Sequence, residues 1–166
     1  MTREIDRSPA RLSSALSVTG AGLSAGTSAL TGSVGLAVGA AGFLVVALGV
    51  FRGSLRAVTL GSTALLIAAL AGGLAVGAPF LLLPGVIAAV LAWDLGEQAI
   101  NVGQQLGRGA DTTQLEATHA AASTVVGVGA GGLGYGVYLV SAGGRPVTAL
   151  VFLLLAAVVL TSALRA

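Results

Sequence analysis

The sequence predicts an all-α fold, a polytopic bundle of about six membrane-spanning helices with both termini in the cytoplasm. Three observations carry this expectation. The 166 residues are 55% hydrophobic and only 8% charged, with a mean hydropathy of +0.98, whereas a soluble domain carries about 25% charged residues. The charges leave 40 uncharged residues between Arg11 and Arg52 and 37 between Arg56 and Asp94. A transmembrane helix needs about 20 apolar residues, so each gap is too long for one span and suits two. The third observation is the placement of arginine. With six spans, Arg3, Arg7, Arg11, Arg52, Arg56, Arg108 and Arg165 share one side and Arg145 alone faces the other, a positive-inside bias that puts both termini in the cytoplasm.

The elements follow in order, after a cytoplasmic tail at 1–10 and within a single transmembrane domain at 11–166. The first helix, expected over 11–31, is rich in small hydroxyl residues (Ser13-Ser14-Ala15-Leu16-Ser17-Val18-Thr19) and would insert poorly without help from neighbours. A cleaved signal peptide is the rival reading, since Arg3, Arg7 and Arg11 precede the segment, but a compact Leu-rich core is lacking. Thr31-Gly32-Ser33 breaks the first gap, giving a second helix at 34–51. A third helix is expected at 57–77, ended by Gly77-Ala78-Pro79, and a fourth at 80–105. Pro84 either kinks the fourth helix or marks its true start, with 80–83 then a short cap. The fifth and sixth helices are expected at 114–141 and 146–164, separated by Gly143-Gly144-Arg145-Pro146.

Glycine accounts for 26 residues, about twice the average share of ~7%. Much of it recurs at four-residue spacing, as in Gly22/Gly26, Gly35/Gly39, Gly73/Gly77, Gly127/Gly131 and Gly132/Gly136. In lipid such spacing lets helix backbones approach closely. The dense run Gly127, Gly131, Gly132, Gly136 is the expected close contact.

Few polar residues are left to carry function. At 100° per residue, Asp94, Glu97, Gln98, Asn101, Gln104 and Gln105 fall within an arc of about 120° on the fourth helix. Asp94 would lie about two thirds of the way through the span, where a carboxylate is costly unless paired or wetted. Three readings stand: a structural pairing of the acids with Arg52, Arg56 or Arg108, a polar pathway or ion site inside the bundle, or an amphipathic helix along the headgroups. Thr113 and Glu116 match a capping box, which satisfies the free N–H groups of a helix start. Glu116 and His119 also form Glu-x-x-His, a half-motif of carboxylate-bridged di-iron bundles, but such sites use two copies and His119 is the one histidine. His119 could face Asp94 or Glu97 across the bundle and form a pH-sensitive contact.

Other classes lack support. Without cysteine there are no disulfides, thiol nucleophiles or Cys-ligated metals. With 4% aromatics and no basic stripe, nucleic-acid binding is not expected. No catalytic residue set, cofactor motif or metal site is read from the sequence.

Arg52-Gly53-Ser54-Leu55-Arg56-Ala57-Val58-Thr59-Leu60-Gly61, Ala89-Val90-Leu91-Ala92-Trp93-Asp94-Leu95-Gly96-Glu97 and Gly132-Leu133-Gly134-Tyr135-Gly136-Val137-Tyr138 carry a resemblance. Over nearly its whole length the chain resembles an uncharacterised family of small haloarchaeal multi-pass membrane proteins. That resemblance implies genes encoded beside a MoxR-type AAA+ ATPase and a transglutaminase-like membrane protein, an accessory role, and no assigned catalytic residue. The leading expectation is a non-enzymatic accessory or scaffold subunit in the cell membrane. Its partner would be another membrane or membrane-associated protein, with homo-oligomers also possible. The alternative is a small transporter or channel lined by Asp94, Glu97 and Asn101.

Overall fold

A computed structural model describes residues 6–140 and 147–163, with side chains described to residue 159. Six helices follow in order: α1 (Arg11–Ala29), α2 (Ser33–Arg52), α3 (Leu55–Val76), α4 (Pro79–Leu106), α5 (Thr113–Val140) and α6 (Val147–Ala163). Their ends lie within two residues of the boundaries expected from charge gaps and turn residues. Arg3, Arg145 and Arg165, used in the topology argument, fall outside the described residues.

Glycine ends both α2 and α3, Gly77 where the sequence placed a break and Gly53 in the turn between Arg52 and Arg56. Gly53 and Gly77 cap α2 and α3 with φ of +66° and +64°, a left-handed conformation that costs glycine nothing and other residues about 1–2 kcal/mol. Ser54 then opens α3 by accepting the Ala57 N–H at 3.4 Å. Pro79 takes the first turn of α4, and Pro84 lies inside the helix. Residues 80–83 are therefore helical and not a separate cap, because a ring this near the helix start displaces few backbone bonds.

Helices α2, α3, α4 and α5 are long and apolar enough to cross a membrane. The hydroxyl-rich α1 is not among them, and the apolar part of α6, Val147–Val159, is shorter. Yet α1 is deeply enclosed, packing most extensively on α4 and then on α2 and α3. One stripe of it, Ser13, Ser17, Ala21, Ser24 and Ser28, is fully buried. These small side chains let α4 run antiparallel beside it. Ser17 Oγ donates to the Ala92 carbonyl at 2.6 Å, and a Cβ on Gly20 would stand 3.2 Å from the Ala88 carbonyl oxygen. Hydrophobic association is weak in lipid, so such close backbone contacts and interhelical hydrogen bonds hold the helices together. Ser17→Ala should lower stability in detergent by about 0.5–1.5 kcal/mol, read from a thermal or denaturant unfolding midpoint.

The main apolar core joins α1 to α4 through Ala21, Val46, Val58, Leu65, Ala92 and Ile100. A second cluster, around Leu70, Leu82, Leu150 and Leu154, attaches α6. A tight glycine contact joins α2 to α3. A Cβ on Gly61 would sit 2.7 Å from the Val46 nitrogen and 2.8 Å from the Gly42 carbonyl oxygen. Among the glycine pairs singled out from sequence, Gly35 and Gly39 face α1, and Gly127 and Gly131 face Ile87 of α4. Gly132 and Gly136 are a correction, because a Cβ on either meets nothing within 4 Å. They lie on the outer side of α5, since at 100° per residue only one face of a helix can point at α4.

Arg7, Arg11, Arg52, Arg56 and Arg108 gather at one end of the bundle. There the Arg108 amide donates to the Asp6 carbonyl at 2.8 Å, and Gly53 lies against Pro9. Asp6 accepts from the Ser8 hydroxyl at 2.6 Å and the Ser8 amide at 2.9 Å. The Ser8 hydroxyl, then the Ser8 amide, hold its carboxyl below the usual carboxylate range, with Arg108 and Arg11 adding to the effect. A depressed carboxyl supports the fold above its unfolded value and loses that support as pH falls. Acidification below the carboxylate range should therefore lower the protection of the Ser8 amide, read as its exchange relative to the intrinsic rate at each pH, and Asp6→Asn should show the lower protection already at neutral pH.

Candidate functional site

Asp94 is the ionisable residue that the bundle encloses within α4, with 6% of its surface exposed. It lies fifteen residues past Pro79, about 22 Å along the helix at 1.5 Å per residue. Opposite it, α5 presents His119 and Ser123, four residues apart and so on one face. The carboxylate oxygen Oδ2 of Asp94 accepts from Ser123 Oγ at 2.6 Å and pairs with His119 Nε2 at 2.9 Å. Since a carboxylate only accepts, Nε2 is the donor in this contact.

This arrangement differs from a hydrolytic triad. Such a triad places the serine on one ring nitrogen and the acid on the other, so that the ring takes the serine proton. Here both groups bind the same carboxylate oxygen, and Ser123 Oγ stands 3.5 Å from the same nitrogen, Nε2. The hydroxyl proton points at the Asp94 carboxylate and not at the ring, which ties α5 to α4.

The predicted polar face of α4 divides among different surroundings. Asp94 turns inward to meet His119, as the sequence allowed. Glu97 instead accepts from Trp93 Nε1 on its own helix at 2.8 Å. Gln98 is half-buried, whereas Asn101, Gln104 and Gln105 are exposed. The expected pairing of the acids with Arg52, Arg56 or Arg108 is not what forms. Among the described residues the close contact of an acid with a basic side chain is between Asp94 and His119, because the arginines sit at the end of the bundle and Asp94 sits several turns inside it.

Glu116 is the second enclosed acid, 3% exposed, and it corrects the capping-box expectation. α5 begins at Thr113, which places Thr113 inside the helix and not at its cap. Glu116 Oε1 accepts from Thr112 Oγ1 at 2.7 Å. Its Oε2 accepts the backbone N–H of Ser13 at 2.7 Å, in the first turn of α1. The residue before α1, Ala10, has no side chain to cap it, so α5 supplies the missing acceptor. A carboxylate there also meets the positive end of the α1 dipole. The sequence held a signal for this, a helix start without its own cap and an acid one turn into another helix, but no pattern linked residues 103 positions apart. Glu116 and His119 thus serve different partners, and the Glu-x-x-His spacing does not converge. Among the described residues no three His, Asp or Glu side chains come together as a metal site.

Beside Asp94, α4, α5 and α6 line a half-open cavity of about 330 Å³. Trp93, Asp94, His119 and Ser123 line one end, and Ile87, Val126, Ala130 and Leu154 line the rest. Glu97 and Asn101 are not among its lining residues.

The model of one family, described as a family of unknown function (DUF7519), matches residues 7–161. No curated protein and no solved structure matches the chain.

Proposed function

The chain belongs to the DUF7519 family, and we propose that it is a non-enzymatic accessory or scaffold subunit of a complex in the cell membrane. In this reading α1 and α6 complete six crossings, with the arginine-bearing end in the cytoplasm. The observation that carries the proposal is the division of the molecule. Helices α1 to α4 pack on one another, whereas 6% of the most apolar window of α5 is buried. Glu116, His119 and Ser123 of α5 hold it to α1 and α4. Its outer face, with Val128, Leu133 and Val137 exposed beside Gly132 and Gly136, is left for a partner. The haloarchaeal family that the chain resembles, with its AAA+ ATPase and transglutaminase-like neighbours, supplies the first partners to try.

A photo-crosslinker at Leu133 in native membranes tests this, with one at the equally outward Leu60 of α3 as the control. A protein adduct at Leu133 and none at Leu60 is expected. Lipid adducts alone at both positions would remove the scaffold reading. The absence of native cysteine lets Gly109→Cys report topology, and labelling should occur only from the cytoplasmic side. A transporter path through Asp94, Glu97 and Asn101 has less behind it, because Glu97 is bound to Trp93 and Asn101 faces outward.

A further inference from the structure

We infer that the hollow at the arginine-bearing end, between the start of α1, the end of α2 and the loop after α4, binds the phosphate head of an anionic phospholipid, with an acyl chain along its apolar wall. The hollow is half-open and holds about 300 Å³, the small end of ligand sites, which run roughly 300–1,000 Å³. That is room for a head group and the upper part of one chain. Arg11 and Arg108 supply its charge, and Ala15, Val18, Val50 and Phe51 its apolar wall. Arg11, Ala15 and Val18 share one face of α1, and the step from Arg11 to Val18 descends about 10 Å at the helical rise. Charge therefore lies toward the end of the bundle and apolar surface lies deeper. A phospholipid in the arginine-side leaflet has the same order. Phe51 is 76% exposed, so the bundle leaves this wall uncovered.

The charged end is held in place by chain contacts. The Arg108 amide donates to the Asp6 carbonyl at 2.8 Å, and its guanidinium donates one N–H to Ser8 Oγ at 3.1 Å. The segment carrying Asp6 and Ser8 is itself fastened to α4. The Ala10 amide donates to the Ala99 carbonyl at 2.8 Å, and a Cβ on Gly103 would stand 2.9 Å from the Pro9 Cα. Among the described residues neither arginine has an acid within ion-pair reach, and Asp6 turns its Oδ1 to the Ser8 hydroxyl and amide. A guanidinium presents five N–H donors in a planar fork that fits two oxygens of a phosphate. Two such cations lining one hollow repel each other, and an anion between them reverses the sign of that interaction. A zwitterionic head carries a cation of its own and gains less. Basic pockets between membrane helices on the cytoplasmic side hold anionic head groups in this way. The inference rests on the membrane reading of the bundle and is independent of the scaffold role.

The full-length protein in dodecylmaltoside is titrated with dioleoyl phosphatidylglycerol or dioleoyl phosphatidylcholine, and bound lipid is counted by native mass spectrometry. A first adduct is expected with the anionic lipid at a concentration about tenfold lower than with the zwitterionic one. Arg11→Gln combined with Arg108→Gln should bring the two lipids to within about twofold of each other. Arg52→Gln combined with Arg56→Gln removes as much charge from the same end but off the hollow, and should leave the preference intact. Ala15→Trp, at an exposed position of the wall, should abolish the first adduct, and it keeps the test valid if the Arg108 variant does not fold. Equal binding of both lipids, equal loss in the two double-arginine variants, or an adduct unchanged by Ala15→Trp would overturn the site. Displacement of the lipid by glycerol 3-phosphate, the head without the chain, would overturn the lipid assignment in favour of a free phosphate. Binding in detergent does not depend on orientation, so it stands or falls apart from the labelling of Gly109→Cys.

Discussion

Glu116→Ala is expected to lower stability by about 2–3 kcal/mol. Its carboxylate accepts the Ser13 N–H at 2.7 Å and the Thr112 hydroxyl at 2.7 Å. Losing a helix cap costs about 0.5–2 kcal/mol, and a partly buried charge at a helix end contributes up to about 2 kcal/mol. The two effects overlap here, and the desolvation of the acid offsets part of the gain. Glu116→Gln keeps an acceptor beside Ser13 and loses the charge, so it should retain more than half of the stability difference. Unfolding midpoints of the three proteins in one detergent decide the matter. An alanine variant within about 0.5 kcal/mol of wild type, the range of an inconsequential surface change, would show that α1 needs no cap from α5. A second readout is local, because α1 amide exchange near Ser13 should quicken in the alanine variant while that of α3 stays unchanged.

Gly61→Leu should be among the most disruptive single substitutions in the bundle. The first atom added at Gly61 already meets the Val46 nitrogen at 2.7 Å and the Gly42 carbonyl oxygen at 2.8 Å. Both are backbone atoms, so no side chain can swing aside and the two helices must separate. Overpacking a tight site costs about 1–3 kcal/mol. Gly61→Ala belongs in that range, and the leucine variant should exceed it and fail to yield a monodisperse protein. Gly132→Ala and Gly136→Ala should stay within about 0.5 kcal/mol of wild type, since nothing stands within 4 Å of either position. If Gly61→Ala matches them, the α2–α3 contact is looser than described.

The contrast between these glycines shows what could be read in advance. Glycine at four-residue spacing was legible, but Gly61 belongs to no such pair and escaped notice. Its importance comes from Gly42 on the neighbouring helix. The run from Gly127 to Gly136 looked like one interface, and the rotation of α5 splits it, with Gly131 against Ile87 and Gly132 facing outward. The acids behaved likewise. That Asp94 needed a partner followed from its depth in an apolar helix, and His119 was a named candidate. Glu97 found its donor on its own helix, and Glu116 found one on α1.

Fold class, helix number and helix ends were settled in one dimension. A bilayer demands uncharged runs of about 20 residues, and the ionisable side chains, with the glycine and proline turns, mark where such runs stop. The partners of each side chain depended on how the helices rotate and lean against one another. The spacing of residues along a helix fixes their relative angles and leaves its facing open, and that facing is set jointly by every neighbour it packs on. For the same reason α1, too hydroxyl-rich to be counted among the apolar spans, packs against four other helices, α2 to α5. Its serines are tolerated there because they are small, and because some of their hydroxyls bond to backbone carbonyls such as those of Ser24 and Ala92.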